Sequence, residues 1–510
     1  MKYSPPHRKL PARLRRAAAA VLCLAMAAGA VAPSQAQLPT LGDTSEMNAG
    51  TERKLGERIA RELYRDPDYI DDPVLDEYVQ DIWQRLLAAA RTRGELTAEL
   101  DQRFAWQVLL GKDRSINAFA LPGGWLGLHL GLINATATRD ELASVLAHEL
   151  SHVTQRHISR LMTQQSRQTP WVIGAMILGA LAASKSPDAG NAVVVGGQAL
   201  AMQNQLNFSR DMEREADRIG FGVMTQAGFE AQGFVSMFDK LQQAARLNDN
   251  GNFPYLRTHP MNTERIADMQ ARQQLAARPG AAAAPDLVHA MMAGRARVLS
   301  NPGVDALRGY VTEAQAVQAG TGRARQAGAL YAAALASAKL RDAAGASKFA
   351  SRLADLAAGD AKAARLSALL AAELTLAAGD TARAAALADT SSTARPELIL
   401  SSQARTASGR AADAAQRLQT WVALHPRDAQ AWQLLAAAYT AQGQALRAIR
   451  AEAEAQVAHL DYQAAMDRFK AAQDLARKAG PGTSDHIEAS IIDTRARQVE
   501  SLLREQALER

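Results

Sequence analysis

Two histidines four residues apart, with a glutamate directly after the first, carry the clearest chemistry in this chain: His148-Glu149-Leu150-Ser151-His152. On a helix, positions i and i+4 share a face. Both imidazoles can therefore turn toward one zinc ion at about 2.0–2.1 Å. Glu149 stands beside the pair without being a ligand, placed to take a proton from an activated water. A catalytic zinc needs a third protein ligand and one open position. The acidic run Asp211-Met212-Glu213-Arg214-Glu215-Ala216-Asp217 is the best source of that ligand. Glu213 and Asp217 are i,i+4 neighbours, so one can bind metal while the other orients a histidine from behind. Helix spacing does not choose between Glu213 and Glu215. His157 reads as a surface or packing residue rather than a fourth ligand.

Local signals place these residues on defined elements. Thr138-Arg139-Asp140-Glu141 is a helix start, with Thr138 as cap and Glu141 able to reciprocate. Leu142, Val145, Leu146 and Val153 then recur at helical spacing. Ile219 and Val223 extend a second helical pattern beyond the acidic run. Phe104–Leu110 predicts a strand, and Ile116–Leu121 and Trp125–Leu130 flank a Pro-Gly-Gly turn. A strand edge beside a zinc cleft can hold an extended peptide through main-chain hydrogen bonds. The alternative for this hairpin is plain core support.

The whole chain has 510 residues, with 58 basic against 52 acidic side chains and one cysteine. Residues 1–36 hold Lys2, Arg8, Lys9, Arg13, Arg15 and Arg16 and no acid, followed by the apolar stretch Ala17–Ala32, a secretory signal pattern with cleavage near Ala36-Gln37. Its removal brings the net charge to zero, which takes away the electrostatic argument for nucleic acid. Cys23 follows Leu22 rather than a small residue, which argues against lipidation, and its loss with the leader excludes disulfides and thiol catalysis. The expected compartment is the periplasm. Trp171–Ala183 is apolar but shorter than the roughly twenty residues a spanning helix needs. The region 171–201 therefore predicts a buried or re-entrant helix pair, with peripheral membrane contact as the other reading. Residues 277–285 read as a linker. From 286 to 483, Gly409 and Gly443 mark a 34-residue period, and Trp432, Leu435, Tyr439 and Ala448 fit tetratricopeptide helix pairs better than a plain bundle. Residues 484–510 form a charged capping helix.

At its chemical residues the sequence resembles the M48-type zinc metallopeptidases. HExxH is followed by Glu213-Arg214-Glu215-Ala216-Asp217. Asn117-Ala118-Phe119-Ala120-Leu121-Pro122-Gly123-Gly124 is similar to the segment before the zinc helix, and Thr258-His259-Pro260 with Arg265 to a later element. The resemblance implies an α+β zincin-like domain over 37–276, mostly helical with a small sheet, ahead of an all-α tetratricopeptide solenoid. It implies one Zn²⁺ per chain, held by His148, His152 and Glu213, with Asp217 behind a histidine. It also implies substrate contacts at Asn117, Ala118, Phe119, Gly123 and Gly124. His259, with Arg265, would support the oxyanion, or His259 would occupy the open zinc position and keep the enzyme latent. Leader, peptidase segment and repeats together are similar to a periplasmic group of that family that acts on stalled or misfolded outer-membrane proteins beside the barrel-assembly machinery. A different class is a chaperone or adaptor built on the repeats, with a latent protease domain. A non-proteolytic zinc hydrolase is a third reading, and no feature announces its small-molecule pocket.

Overall fold

The computed structural model describes residues 47–164, 209–246, 253–276, 286–317, 321–389, 391–478 and 485–508. The leader, the apolar insert 171–201 and the linker 277–285 lie outside them. Met47–Arg510 forms one compact unit.

The first part is a small sheet surrounded by helices. In order come α1 (Ala49–Arg65), β1 (Tyr69–Ile70), α2 (Pro73–Thr92), α3 (Ala98–Arg103), β2 (Gln107–Gly111), β3 (Ala118–Leu121), β4 (Trp125–His129), α4 (Leu130–Ala135), α5 (Arg139–Thr154) and α6 (His157–Gln164). Then follow α7 (Arg210–Gln226), α8 (Gln232–Arg246), α9 (Tyr255–Thr258) and α10 (Thr263–Ala276). The sheet order is β1-β2-β4-β3, with β2 parallel to β4 and the other pairs antiparallel. The expected strand at Phe104–Leu110 begins three residues later, because Trp106 takes a positive φ of 51° and breaks the extended run. The Pro-Gly-Gly turn closes the β3–β4 hairpin. Gly123 (φ 71°) and Gly124 (φ 83°) sit in the left-handed region, and a Cβ on Gly123 would lie 2.6 Å from the Arg53 backbone on α1.

α5 starts as its sequence predicts. Glu141 N–H donates to Thr138 Oγ1 at 3.1 Å, while the Glu141 carboxylate reaches Ala137 N at 2.6 Å, one residue outside the usual box. Every residue from Glu141 to Thr154 is buried, which explains its apolar spacing on more than one face.

Twelve further helices follow among the described residues: α11 (Leu287–Ser300), α12 (Val304–Ala316), α13 (Arg323–Lys339), α14 (Ala343–Ala357), α15 (Ala361–Ala377), α16 (Thr381–Leu387), α17 (Arg395–Ala407), α18 (Ala411–Leu424), α19 (Ala429–Ala441), α20 (Ala445–Ala458), α21 (Tyr462–Lys478) and α22 (His486–Leu508). From α13 onward each packs on the next, the signature of a helical solenoid. Gly409 and Gly443 close helices in left-handed conformations, and Trp432, Leu435, Tyr439 and Ala448 are buried.

The array does not hang from the first part as a separate body. One core runs from Ala49 to Leu400. Three arginines from α11, α15 and α17 reach the acidic N-terminal end of α2: Arg295 to Asp72 (2.7 Å), Arg365 to Glu77 (2.7 Å) and Arg395 to Asp71 (2.8 Å). α2 packs in turn on α5 and α7. His289 on α11 is a further tie, with Tyr78 Oη 2.6 Å from its Nδ1 and Thr136 O 2.9 Å from its Nε2. The Thr136 carbonyl can only accept, so Nε2 carries the proton and the Tyr78 hydroxyl donates to Nδ1. Burial holds this imidazole below its ordinary 6.5. Below about pH 6.5 the unfolded chain takes a proton that the native chain refuses, so stability falls as pH drops toward the native pKa. Urea midpoints at pH 7.5 and 5.5 should therefore separate for wild type, and His289→Gln should narrow that gap.

Candidate metal centre

The fold brings together four donors from three segments. His148 and His152 come from α5, Glu213 from the first turn of α7, and His259 from the end of α9, all buried. Their ligand atoms lie within 4.8 Å of one another. His148 Nε2 is 3.0 Å from His152 Nε2 and 3.3 Å from His259 Nδ1. Glu213 Oε1 is 2.9 Å from His259 Nδ1 and 3.4 Å from His152 Nε2. A tetrahedron of ~2.0–2.1 Å bonds has edges of roughly 3.3–3.4 Å, so these separations are close to those of a four-coordinate zinc.

Charge gives the same answer. Glu149, Glu213 and Asp217 are buried with a single guanidinium, Arg265, whose Nη1 lies 2.8 Å from Glu213 Oε2 and whose Nε lies 2.6 Å from Asp217 Oδ2. Three carboxylates against one cation leave two negative charges, the complement of a divalent ion. Burial works against protonation of His148, yet Asp217 and Glu213 raise its pKa to about 10, which offsets one of those two charges. Burial keeps His152 well below 6.5. Glu213 is held well below the carboxylate range despite its burial, through the surrounding imidazoles. The residues present therefore fit zinc, and binding it releases a proton.

Around the donors, Asp217 Oδ1 lies 2.9 Å from His148 Nδ1. Glu149 is fully buried. Its Oε2 accepts from Ala120 N on β3 at 2.9 Å, while its Oε1 faces His259 Nε2 at 3.4 Å. Burial raises the pKa of this carboxyl, the direction that suits a general base. Arg265 is engaged by Asp217 and Glu213, which makes it a holder of carboxylates; the oxyanion role expected for it does not fit that placement. His259 stacks on Tyr255, ring centroids 4.5 Å apart, and occupies the fourth corner of the donor set.

The Asn117–Gly124 segment divides into two parts. Ala118–Leu121 form β3, the outer strand of the sheet, which packs on α5. Asn117 O accepts from His129 N at 3.0 Å, and the Phe119 ring covers Gly127, where a Cβ would meet it at 2.1 Å. Gly123 and Gly124 lie at the hairpin tip, packed on α1 and on Phe104–Trp106.

His157, read from the sequence as a surface or packing residue, lies behind His152 rather than in the donor set. It is fully buried, with Nδ1 2.9 Å from His152 Nδ1 and Nε2 3.1 Å from Glu215 Oε2. Burial lowers its pKa to about 4. Glu213 and Glu215 thus separate by partner, one facing the donor set and the other this outer histidine.

Comparison with known proteins agrees with the geometry. Residues 73–273 match the pattern described as "Peptidase family M48". The chain is 35% identical over 270 residues to the "Beta-barrel assembly-enhancing protease" of Escherichia coli (strain K12), covering 51% of this chain and 53% of that one. It is 34% identical over 279 residues to the protein of the same name from Yersinia pestis, 54% of each chain. The "Mitochondrial metalloendopeptidase OMA1" of Saccharomyces cerevisiae is 27% identical over 196 residues, 38% of this chain and 54% of that one. The chain spans about half the length of these relatives.

Proposed function

From the match of residues 73–273 to peptidase family M48, we propose that this chain is a zinc-dependent endopeptidase of the bacterial envelope. Its substrates are misfolded or stalled outer-membrane proteins, taken in the periplasm beside the barrel-assembly machinery. The names of the E. coli and Yersinia relatives support this class of substrate. The observation that carries the reading is the buried set of four donors, their ligand atoms within 4.8 Å of one another, with Glu149 buried beside it.

His148, His152 and Glu213 hold the zinc, which when bound supplies Lewis acidity toward a scissile carbonyl and lets water attack near neutral pH. Glu149 takes the water's proton at Oε1 while Ala120 N–H fixes Oε2, and later returns it to the leaving amine. Asp217 and Arg265 hold the ligands in place. The outer edge of β3 suits an extended client chain, which binds there through its backbone with loose sequence preference.

The place of His259 in the donor set supports a latch, in which it holds the position that attacking water needs. Removing the imbalance between closed and open forms raises the competent fraction directly. His259→Ala should speed casein degradation by about ten-fold or more, as expected when the closed form is favoured by roughly 1.4 kcal/mol or more. Zinc content and casein degradation of wild type, His148→Ala and His259→Ala, measured together, test the scheme. His148→Ala should lose the metal. A dead His259→Ala enzyme would assign that residue to transition-state support instead, and an unchanged rate would remove both roles.

The closed site also favours a second reading, an adaptor in which the helical array does the work. Rescue of envelope defects by a Glu149→Gln chain in cells lacking the wild type would support it.

A further inference from the structure

Building on the zinc reading above, we infer that His157 is a positioning residue for the metal: it accepts the Nδ1 proton of His152 and so fixes the tautomer that turns His152 Nε2 toward the ion, with Glu215 fixing His157 in turn. Two ring nitrogens 2.9 Å apart require one N–H and one lone pair. His152 presents Nε2 to His148 and Glu213. A neutral imidazole that binds through Nε2 keeps its hydrogen on Nδ1, and that hydrogen points at His157 Nδ1. His157 then carries its own hydrogen on Nε2, aimed at Glu215 Oε2 3.1 Å away. Arg160 Nη1 donates to the same oxygen at 2.9 Å. The opposite assignment would set a nitrogen lone pair of His157 against a carboxylate oxygen, which can only accept. One proton arrangement satisfies the whole chain.

The backbone is bent to make this contact. Five positions beyond His152 on an unbroken helix, residue 157 would lie roughly 140° around the axis. α5 instead stops at Thr154, and Arg156 adopts φ 53°, uncommon for a residue with a side chain. That turn brings the two rings edge to face, centroids 4.8 Å apart. Arg156 is held there by Glu52, through Nε to Oε2 at 3.1 Å, and by the Met47 carbonyl. A left-handed non-glycine residue kept in place by a buried glutamate is the kind of outlier that supports a site. The two zinc histidines are thus held by different means: a carboxylate behind His148 and a neutral ring behind His152.

The test is the Zn²⁺ affinity of the full chain, measured by chelator competition, for wild type, His157→Ala, His157→Asn and Glu215→Ala. Imidazole ¹⁵N spectra of the zinc-loaded proteins report the His152 tautomer. His157→Ala should bind zinc about 10–100-fold more weakly. In His157→Asn the amide oxygen falls near the lost Nδ1 and accepts the same proton, so affinity should stay within about three-fold of wild type. Glu215→Ala, at the outer and partly exposed end, should weaken binding less than His157→Ala. It also keeps the relay testable should that variant fail to fold. Equal affinity of wild type and His157→Ala overturns the relay. So does an equal loss in the Ala and Asn variants, which would leave packing alone. A wild-type chain that takes up no zinc is a different failure: it removes the metal reading itself, and the relay with it.

Discussion

Glu149→Gln should lower peptide hydrolysis by about 10²–10⁴-fold, the usual contribution of a positioned proton-transfer group, and leave zinc content at wild-type level. The residue is fully buried and lies outside the four-donor set. Glutamine keeps the shape and can still accept the Ala120 N–H through its amide oxygen, so the hairpin stays docked on α5. It has no basic oxygen to take a proton from water. Casein turnover and metal content on the same preparations check this. A variant that cleaves at near wild-type rate would mean that another group is the base, and one that loses zinc would mean that Glu149 shapes the site rather than the proton path.

The second large effect concerns stability. Arg295 is almost wholly buried and binds Asp72 through both ends of its guanidinium, at 2.8 and 2.7 Å, while reaching Glu373 at 2.7 Å and Tyr331 Oη at 3.1 Å. Removing one partner of a buried ion pair strands the other and costs about 3–5 kcal/mol. Arg295→Met should therefore lower the unfolding free energy by that much, read from urea titrations. Asp72 also caps α2, accepting from Leu75 N at 2.9 Å. Asp72→Asn keeps an acceptor for the cap and discards the charge. The double variant should recover much of what Arg295→Met loses, because the buried one of the two stranded anions is gone and Glu373 is partly exposed to water. A loss below about 1 kcal/mol for Arg295→Met would place this contact among ordinary surface pairs.

What could be read in advance divides along physical lines. The helix bearing His148 and His152 was legible because cap, dipole acids and apolar spacing all act within a few residues of one another. The Pro-Gly-Gly hairpin was legible for the same reason, since left-handed turns demand glycine. The parallel pairing of β2 with β4 was not, because it joins strands across an intervening one and leaves no local mark. Glu213 and Glu215 could not be told apart by period; only the approach of α7 to α5 assigns their partners. The contact of His157 with His152 was not legible, because its place depends on one backbone angle at Arg156, which no hydrophobic pattern encodes. Likewise Arg295, Arg365 and Arg395 look like ordinary charges on Ala-rich helices until their carboxylate partners, more than two hundred residues earlier, fold against them.

One apolar cluster that draws on both the first part and the helical array bears on how the molecule can be dissected. A cut between the first part and the helical array would uncover Met291, Met292 and the Ala-rich face of α13, all buried in the intact chain. Neither fragment would then be a faithful miniature of its half. On heating, this stretch should unfold in one heat-absorption peak shared by the first part and the array, so an injury to either is felt by both.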